Sequence, residues 1–293
     1  MNRVGSVLVA ATVLISSRAV AGDLVVGILE HPQCKQEPLS AVRPLFHKHD
    51  QQWAALSSEE LSLGVPLADV SWTVALNGSR LGSIKTVDPG FSSPYAWTYA
   101  RDRLLVLAPD QPIPAVANGQ SLFGGWCEVP ENRPLVVISR PNLGDPDGWK
   151  RFNPDSTLRS QMFARFAAAA GEANTCESQD AETPSVWAYS ADDLLVSSSY
   201  QDHAGRRLVA LALNPTRNHC DGPRDDAWST YWFLVVKDSI TPLGANLSLV
   251  DAGDYDADGS SELLFWYSGY NKDGYSLFYD GLRKRVDYQW SYH

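Results

Sequence analysis

The chain has 293 residues, of which 44% are hydrophobic and 20% are charged, and its formal net charge is −10. This length and composition are ordinary for a folded protein of one large or two smaller domains. The negative charge argues against a nucleic-acid partner, because phosphates are bound by clustered Lys and Arg. The 10 Trp, 12 Tyr and 9 Phe favour strands over helices.

Residues 1–21 are typical of a secretory signal peptide. Arg3 gives a positive start, Val4–Ile15 is apolar but too short to span a bilayer, and Ala19-Val20-Ala21 is a small-x-small cleavage site. The sequence therefore predicts an exported protein, periplasmic or extracellular, whose mature chain begins at Gly22. The alternative is an uncleaved anchor. No later segment approaches the ~20 apolar residues of a membrane helix.

Four cysteines are present: Cys34, Cys127, Cys176 and Cys220. An even number in an oxidising compartment predicts disulfides, and four cysteines allow three pairings. The first two lie in the first half of the chain and the last two in polar loops of the second half. We therefore predict the pairs Cys34–Cys127 and Cys176–Cys220. The alternative, a zinc site, lacks the short Cys spacing that structural zinc requires.

Strand patterns dominate the N-terminal half, residues 22–150. Asn77-Gly78 predicts a tight hairpin turn, because both residues tolerate positive φ. His49-Asp50 indicates a second hairpin. The strands predicted in this half are Leu24–Leu29, Val42–His47, Gln52–Leu56, Val70–Leu76, Leu81–Val87, Leu104–Leu107 and Pro134–Ile138.

A helix and a linker are predicted over residues 151–185. Asp155 or Ser156 can cap the helix, and Gly171 can end it. Its apolar face consists of Leu158, Met162, Phe163 and Phe166. We expect this face to pack against a sheet.

The C-terminal half, residues 186–293, has strand patterns at intervals of about ten residues, a spacing typical of antiparallel meanders. The predicted strands are Val186–Tyr189, Leu194–Tyr200, Arg207–Leu213, Tyr231–Lys237, Leu247–Val250, Leu263–Tyr267, Tyr275–Tyr279 and Val286–Tyr292. Turns are predicted at Asn271–Gly274 and at Asp280-Gly281.

The fold class is therefore all-β: a β-propeller-like arrangement of antiparallel meanders with one accessory helix, or alternatively a pair of β-sandwiches. A ring would pair Leu24–Leu29 with Val286–Tyr292 in a single sheet, and we predict this pairing.

The strongest local motif is the acidic segment Asp254-Tyr255-Asp256-Ala257-Asp258-Gly259-Ser260-Ser261-Glu262. Carboxylates at positions one, three and five converge if the chain turns tightly, and Gly at position six permits that turn. The carbonyl of Ser260 then points inward. Calcium takes six to eight oxygen ligands, and this arrangement supplies most of them. Position twelve is Phe265 rather than Glu, which excludes an EF-hand.

The segment resembles the FG-GAP, or integrin-α-like (VCBS-type), calcium loop of β-propeller blades. The lead-in Leu249–Gly253 and the strand that follows Glu262 fit this resemblance, which covers about 20 residues in a single copy. It implies calcium held by the side chains of Asp254, Asp256, Asp258 and Glu262 and by the carbonyl of Ser260. The chain as a whole also resembles a group of exported bacterial proteins with a similar ending, which implies no activity.

A calcium ion of this kind is expected to be structural, since it neutralises carboxylates that repel one another and locks a turn. The alternative is an acidic surface turn without metal, because Asp and Gly are common turn residues.

No catalytic residue is assigned from the sequence, which contains neither Gly-x-Ser-x-Gly nor His-Glu-x-x-His. His47 and His49 alternate on a strand and could hold a metal, although a solvated hairpin explains them as well. Asp192-Asp193 and Asp225-Asp226 are candidate carboxylate pairs for glycoside cleavage. The C-terminal aromatics could stack on a ligand, although core packing explains most of them. They are Trp266, Tyr267, Tyr270, Tyr275, Phe278, Tyr279, Tyr288, Trp290 and Tyr292.

These observations predict an exported, calcium-stabilised binding or scaffold protein with a protein or carbohydrate ligand. The alternative is a secreted carbohydrate-active or other hydrolase on a β-propeller-like scaffold.

Overall fold

The computed structural model describes residues 24–30, 41–49, 51–56, 70–87, 105–106, 134–141, 144–174, 186–214, 229–269 and 272–291. The predicted signal peptide and all four cysteines lie outside these ranges. The cleavage site and both disulfides therefore stay predictions.

The first sheet is antiparallel and comes from the N-terminal half. Its strands are β1 (Leu24–Glu30), β2 (Ala41–His49), β3 (Gln52–Ala55), β4 (Ser71–Leu76), β5 (Ser79–Lys85), β6 (Leu105–Val106) and β7 (Leu135–Ile138). They lie in the order β3-β2-β1-β7-β4-β5, with β6 beside β2. Both predicted hairpins are confirmed. Asn77 and Gly78 have φ of 50° and 65°, as a two-residue hairpin turn requires.

The second sheet lies in the order β14-β13-β12-β11-β8. Its strands are β8 (Lys150–Arg151), β11 (Leu194–Gln201), β12 (Arg207–Leu213), β13 (Tyr231–Val236) and β14 (Ser239–Ala245). The sequence did not predict β14, which contains Pro242. A proline is tolerated there because β14 is an edge strand. Two short strands, β9 (Ala173–Asn174) and β10 (Val186–Trp187), pair with each other.

The predicted helix is confirmed as α1 (Ser156–Ala170). Asp155 caps it, accepting a hydrogen bond of 2.8 Å from the Leu158 N–H. Gly171, with φ of 71°, ends it, and its N–H donates to the Ala167 carbonyl. Leu158, Met162 and Phe166 are buried in a cluster with β12 and β13, so α1 covers one face of the second sheet.

The third sheet is an antiparallel meander of β15 (Leu247–Gly253), β16 (Glu262–Gly269), β17 (Lys272–Tyr279) and β18 (Lys284–Ser291). The turn predicted at Asp280-Gly281 is confirmed, since both residues have positive φ. The hairpin predicted at Asn271–Gly274 is confirmed by the pairing of β16 with β17, but its turn was placed too late in the chain, because β17 already begins at Lys272, which pairs with Gly269. Cross-strand pairing therefore overrides the turn preference of Asp273 and Gly274.

The third sheet is sandwiched between the other two. On β16, Leu264 packs with residues of the first sheet, whereas Leu263 and Phe265 pack with residues of the second. This alternation explains why β16 is a continuous apolar run: both of its faces are buried. The layers therefore run from the first sheet through the third and second sheets to α1.

The predicted pairing of the first and last strands is wrong. Both edges of β1 are occupied, by β2 and by β7, while β18 pairs with β17. The strand pattern correctly predicts strands near both ends, but it carries no information about their partners. The all-β class with one α-helix is confirmed for the described residues. Their sheets are antiparallel and none of them closes into a barrel. In the described part of the chain, no helix combines the length and apolar character that a membrane crossing requires.

Candidate metal site

The acidic loop, residues 254–261, connects β15 to β16, and Glu262 is the first residue of β16. The loop turns tightly, with φ of 62° at Ala257 and 89° at Gly259. Its N–H groups donate to its own carboxylates. Asp254 accepts from the N–H groups of Asp258 and Gly259, each at 3.0 Å, and Asp256 accepts from Asp258 at 3.1 Å. These bonds fix the orientation of both carboxylates.

Three of the predicted ligands converge. Asp254, Asp256 and Glu262 each place one carboxylate oxygen within 4.8 Å of the other two. Glu262 is only 1% exposed, and its Oε2 accepts a hydrogen bond of 2.8 Å from the Tyr255 N–H. The site therefore combines one buried carboxylate, Glu262, with two less buried aspartates of the loop.

The other two predicted residues contribute differently. Asp258 is exposed and lies outside the convergent group, and its Oδ1 accepts from the Ser260 N–H at 2.8 Å. In this structure Asp258 and Ser260 thus support the turn.

Burial and mutual repulsion make this group electrostatically unfavourable without a cation. Burial, reinforced by the charge of Asp256, raises the pKa of Glu262 to about 9, although the Tyr255 N–H opposes the shift. Burial also raises the pKa of Asp254, against the hydrogen bonds from Gly259 and Asp258. A bound cation would favour the ionised form of both groups.

The donor set fits calcium. All three convergent side chains offer carboxylate oxygens, the donors that calcium prefers, and each can supply one or two of the six to eight ligands that the ion takes. Asp254, Asp256 and Glu262 would hold the ion. It would supply positive charge to a buried acidic group, and no reactive chemistry is required of it.

A cationic side chain from another sheet already contacts this group. The Lys48 ammonium, on β2, forms an ion pair with Asp256 Oδ2. Both side chains are shielded from solvent, with 13% of Lys48 and 3% of Asp256 exposed. Sequence reasoning missed Lys48, because nothing local connects residues that are 208 positions apart.

A second acidic turn, residues 144–149, docks on the loop. The Asp254 N–H donates to the Gly144 carbonyl at 2.7 Å. Ser261 donates through its N–H to Asp147 Oδ2 at 3.1 Å and through its hydroxyl to Asp145 Oδ1 at 2.6 Å. The sequence Asp145-Pro146-Asp147-Gly148 signals an acidic turn, but it gives no sign of where that turn docks.

The same region connects the other two sheets. Asp147 forms a salt bridge of 2.8 Å with Arg206, which follows the β11–β12 turn of the second sheet. From the first sheet, the Gly78 N–H donates to Asp251 Oδ1 at 3.1 Å. Asp251 also accepts from the buried Tyr255 hydroxyl. The acidic loop therefore lies where all three sheets meet.

The histidine and aspartate candidates gain no support from the described residues. His47 is half-buried and His49 exposed, and neither belongs to a group of three potential ligands. Asp192 and Asp193 belong to a short 3-10 helix. Asp193 accepts from the Ser190 N–H and hydroxyl, both at 2.8 Å, and so completes the capping box at the start of that helix. Asp225-Asp226 lies outside the described residues.

Most of the described C-terminal aromatics belong to the core. Tyr275, Phe278 and Tyr288 are buried between the sheets, and Trp266 and Trp290 pack against them. The large hydrophobic side chains exposed among the described residues are all aliphatic: Leu81, Val186, Leu195 and Val236. Tyr270 and Tyr292 lie outside the described ranges.

No protein-family model, curated protein or solved structure matches this chain. The class of the protein is therefore described from its fold and its site alone: it is an all-β protein with an acidic loop where three stacked sheets meet.

Proposed function

We propose that this chain is an exported, calcium-stabilised binding or scaffold protein whose ligand is a protein or a carbohydrate. The observation that carries the calcium assignment is the convergence of Asp254, Asp256 and Glu262 within 4.8 Å, with Glu262 buried. Export is proposed from the signal-like segment 1–21, and a propeller-type origin of the loop from its resemblance to FG-GAP sequences.

The role proposed for the ion is structural. Contacts other than that of Lys48 connect the loop to the other two sheets. The Ser261 N–H donates to Asp147, which forms a salt bridge with Arg206 beside β12. The Tyr255 hydroxyl donates to Asp251, which also accepts from the Gly78 N–H of the first sheet. An ion bound here would stabilise their junction as well as one turn. Because only the folded chain brings these ligands together, calcium would stabilise the folded state by linkage.

No described feature favours the hydrolase alternative. One shallow, open surface pocket of the described residues lies beside the first turns of α1 and is lined by Ser156, Thr157, Ser160 and Gln161. It contains no carboxylate pair of the kind that glycoside cleavage requires.

Thermal unfolding of calcium-depleted protein, with and without added calcium, tests the proposal. We expect calcium to raise the Tm by several degrees and a chelator to reverse the rise. Asp256→Asn should abolish the rise, since it removes a ligand charge while keeping the side-chain shape. Asp238→Asn, in the exposed β13–β14 turn, is the matched control and should respond like the parent chain. A parent protein whose Tm ignores both calcium and chelator would refute the calcium assignment.

A further inference from the structure

We propose that Lys48 is a displaceable counter-ion of the acidic loop: its ammonium neutralises Asp256 in the calcium-free protein, leaves when calcium binds, and thereby weakens the calcium affinity. The inference rests on the proposed function and concerns how the same site is regulated.

The contacts of Asp256 show why the two cations compete. Its Oδ1 accepts from the Asp258 N–H, and its Oδ2 is engaged by Lys48. Each oxygen therefore already has one partner in the described state. Coordination of calcium by Oδ2 would bring a divalent ion beside the ammonium, so the two cations compete for this oxygen. A lysine held beside a divalent ion would also repel it.

The origin of Lys48 makes it a stand-in cation rather than part of the loop. It comes from β2 of the first sheet, whereas the carboxylates belong to the β15–β16 connection of the third. Its side chain and that of Asp256 are largely shielded from water, so the pair partly offsets the cost of burying the carboxylate. The fold thus supplies one positive charge where calcium would supply two.

The ammonium has a second partner besides Asp256. Lys48 pairs with Trp53 across the β2–β3 hairpin, and in the same position its Nζ lies 5.9 Å from the centroid of the Trp53 ring. An ammonium over an aromatic face is attracted to the ring. Loss of the Asp256 contact would therefore leave the ammonium one of its two partners.

Calcium titration by calorimetry and urea unfolding in chelator, applied to Lys48→Met, test this inference. We expect Lys48→Met to bind calcium about tenfold more tightly than the parent chain, because a competing charge is gone. The same variant should unfold at lower urea in chelator, because Asp256 has lost its counter-ion. A merely structural role would instead weaken both binding and stability.

Lys272→Met is the matched control. It removes the same charge at the start of β17, where Lys272 pairs with Gly269 at the far end of β16 from Glu262, about 24 Å away at the rise of an extended strand, and it should leave the calcium affinity unchanged. If Lys48→Met does not fold in chelator, Lys48→Gln replaces it, since its amide still donates to Asp256 without carrying charge. It should also bind calcium more tightly than the parent chain.

The outcomes separate the two proposals. If the parent chain binds calcium and the Lys48 variants bind with equal or weaker affinity, the counter-ion inference is overturned and the calcium assignment stands. If the Lys48 variants bind calcium and the parent chain does not, Lys48 blocks the site, which supports the inference and overturns the calcium assignment for the natural sequence. If none of these proteins binds calcium, both are overturned.

Discussion

Two acidic turns lie at the same end of the third sheet and differ in how their charge is neutralised. Residues 254–261 precede β16, and residues 280–283 connect β17 to β18, where Leu263 pairs with Phe278. Asp280 is paired with Arg283 and lies 3.4 Å from the Lys284 ammonium. The hydrogen bond from Arg283 lowers the pKa of Asp280, whereas burial raises that of Glu262 to about 9.

The difference explains why a metal ion is proposed for only one of these two turns. In the Asp280 turn the neutralising cations, Arg283 and Lys284, lie three and four residues along the chain, and the Asp280 carboxylate is accessible to solvent. The loop at residues 254–261 has no Lys or Arg of its own, and Asp254 at its start lies close to the buried Glu262 that follows it. In the described state its positive charge comes from another sheet, from Lys48 on β2.

The largest expected effect is a pH dependence confined to the calcium-free protein. The folded pKa of Glu262, about 9, lies above its ordinary value of 4.5, so the folded state binds this proton more tightly. Its contribution to stability is fully present below pH 4.5 and is lost as the pH rises to about 9. The loss over the whole window is about 6 kcal/mol. Urea unfolding in chelator between pH 5 and pH 9 measures most of this loss.

Calcium should flatten this profile, because a bound cation favours the ionised carboxylates. Chelated and calcium-loaded protein should therefore differ most at the alkaline end. A calcium-free stability that stays constant or rises between pH 5 and pH 9 would contradict the burial cost assigned to Glu262.

Glu262→Gln should separate the cost of the buried charge from the benefit of the metal. The amide oxygen can still accept from the Tyr255 N–H. We expect the free energy of unfolding of the chelated protein to rise by about 3 kcal/mol at pH 7. At this pH the parent chain must protonate Glu262 in order to fold, whereas glutamine is neutral in both states. The same variant should lose its response to calcium. Urea unfolding at pH 7 with and without calcium measures both effects. A variant that keeps the full calcium response would remove Glu262 from the ligand set.

Gly78→Ala should disrupt the junction of the sheets without replacing any proposed calcium ligand. Gly78 has φ of 65°, and a Cβ there would lie 2.4 Å from the Asp145 Cβ and 2.8 Å from the Ala252 carbonyl oxygen. We expect a loss of about 2 kcal/mol or more, from backbone strain and the clash together. Because the ligands are unchanged, urea unfolding should give a similar loss with and without calcium. A loss seen only with calcium would mean that the junction controls ligand geometry.

Local sequence patterns predicted the parts of the fold that depend on local chemistry. Asn77-Gly78 and Gly171 act through their own backbone conformations, and Asp155 acts through a hydrogen bond to a residue three positions away; the structure confirms each of them. The predicted β1–β18 pairing was wrong because strand partners depend on which edges the rest of the chain leaves open. The edge strand β14 was missed because Pro242 is unfavourable only in the middle of a sheet.

The candidate site also has features that the local sequence predicts and features that depend on the packing of distant segments. The spacing of Asp254, Asp256 and Glu262 was sufficient to predict their convergence, because one short loop brings them together. The sequence could not show that Glu262 is buried, that Asp258 lies outside the convergent group, or that Lys48 contacts Asp256. Each of these depends on how the sheets stack, so their signal is absent from any single segment.

The smallest expected effect is that of Asp280→Asn, and it completes the comparison of the two turns. The pKa of Asp280 is lowered, so its contribution to stability is present above its ordinary value of 3.8 and is lost as the pH falls. Removing its charge should reduce stability slightly at pH 7 and more weakly at pH 3. The direction is opposite to that of Glu262→Gln, because one carboxylate is favoured by cations along the chain and the other is penalised by burial. The shift should be identical in calcium and in chelator when urea unfolding is followed in both. A calcium-dependent shift would mean that the two turns share one electrostatic site, and the contrast between them would then be lost.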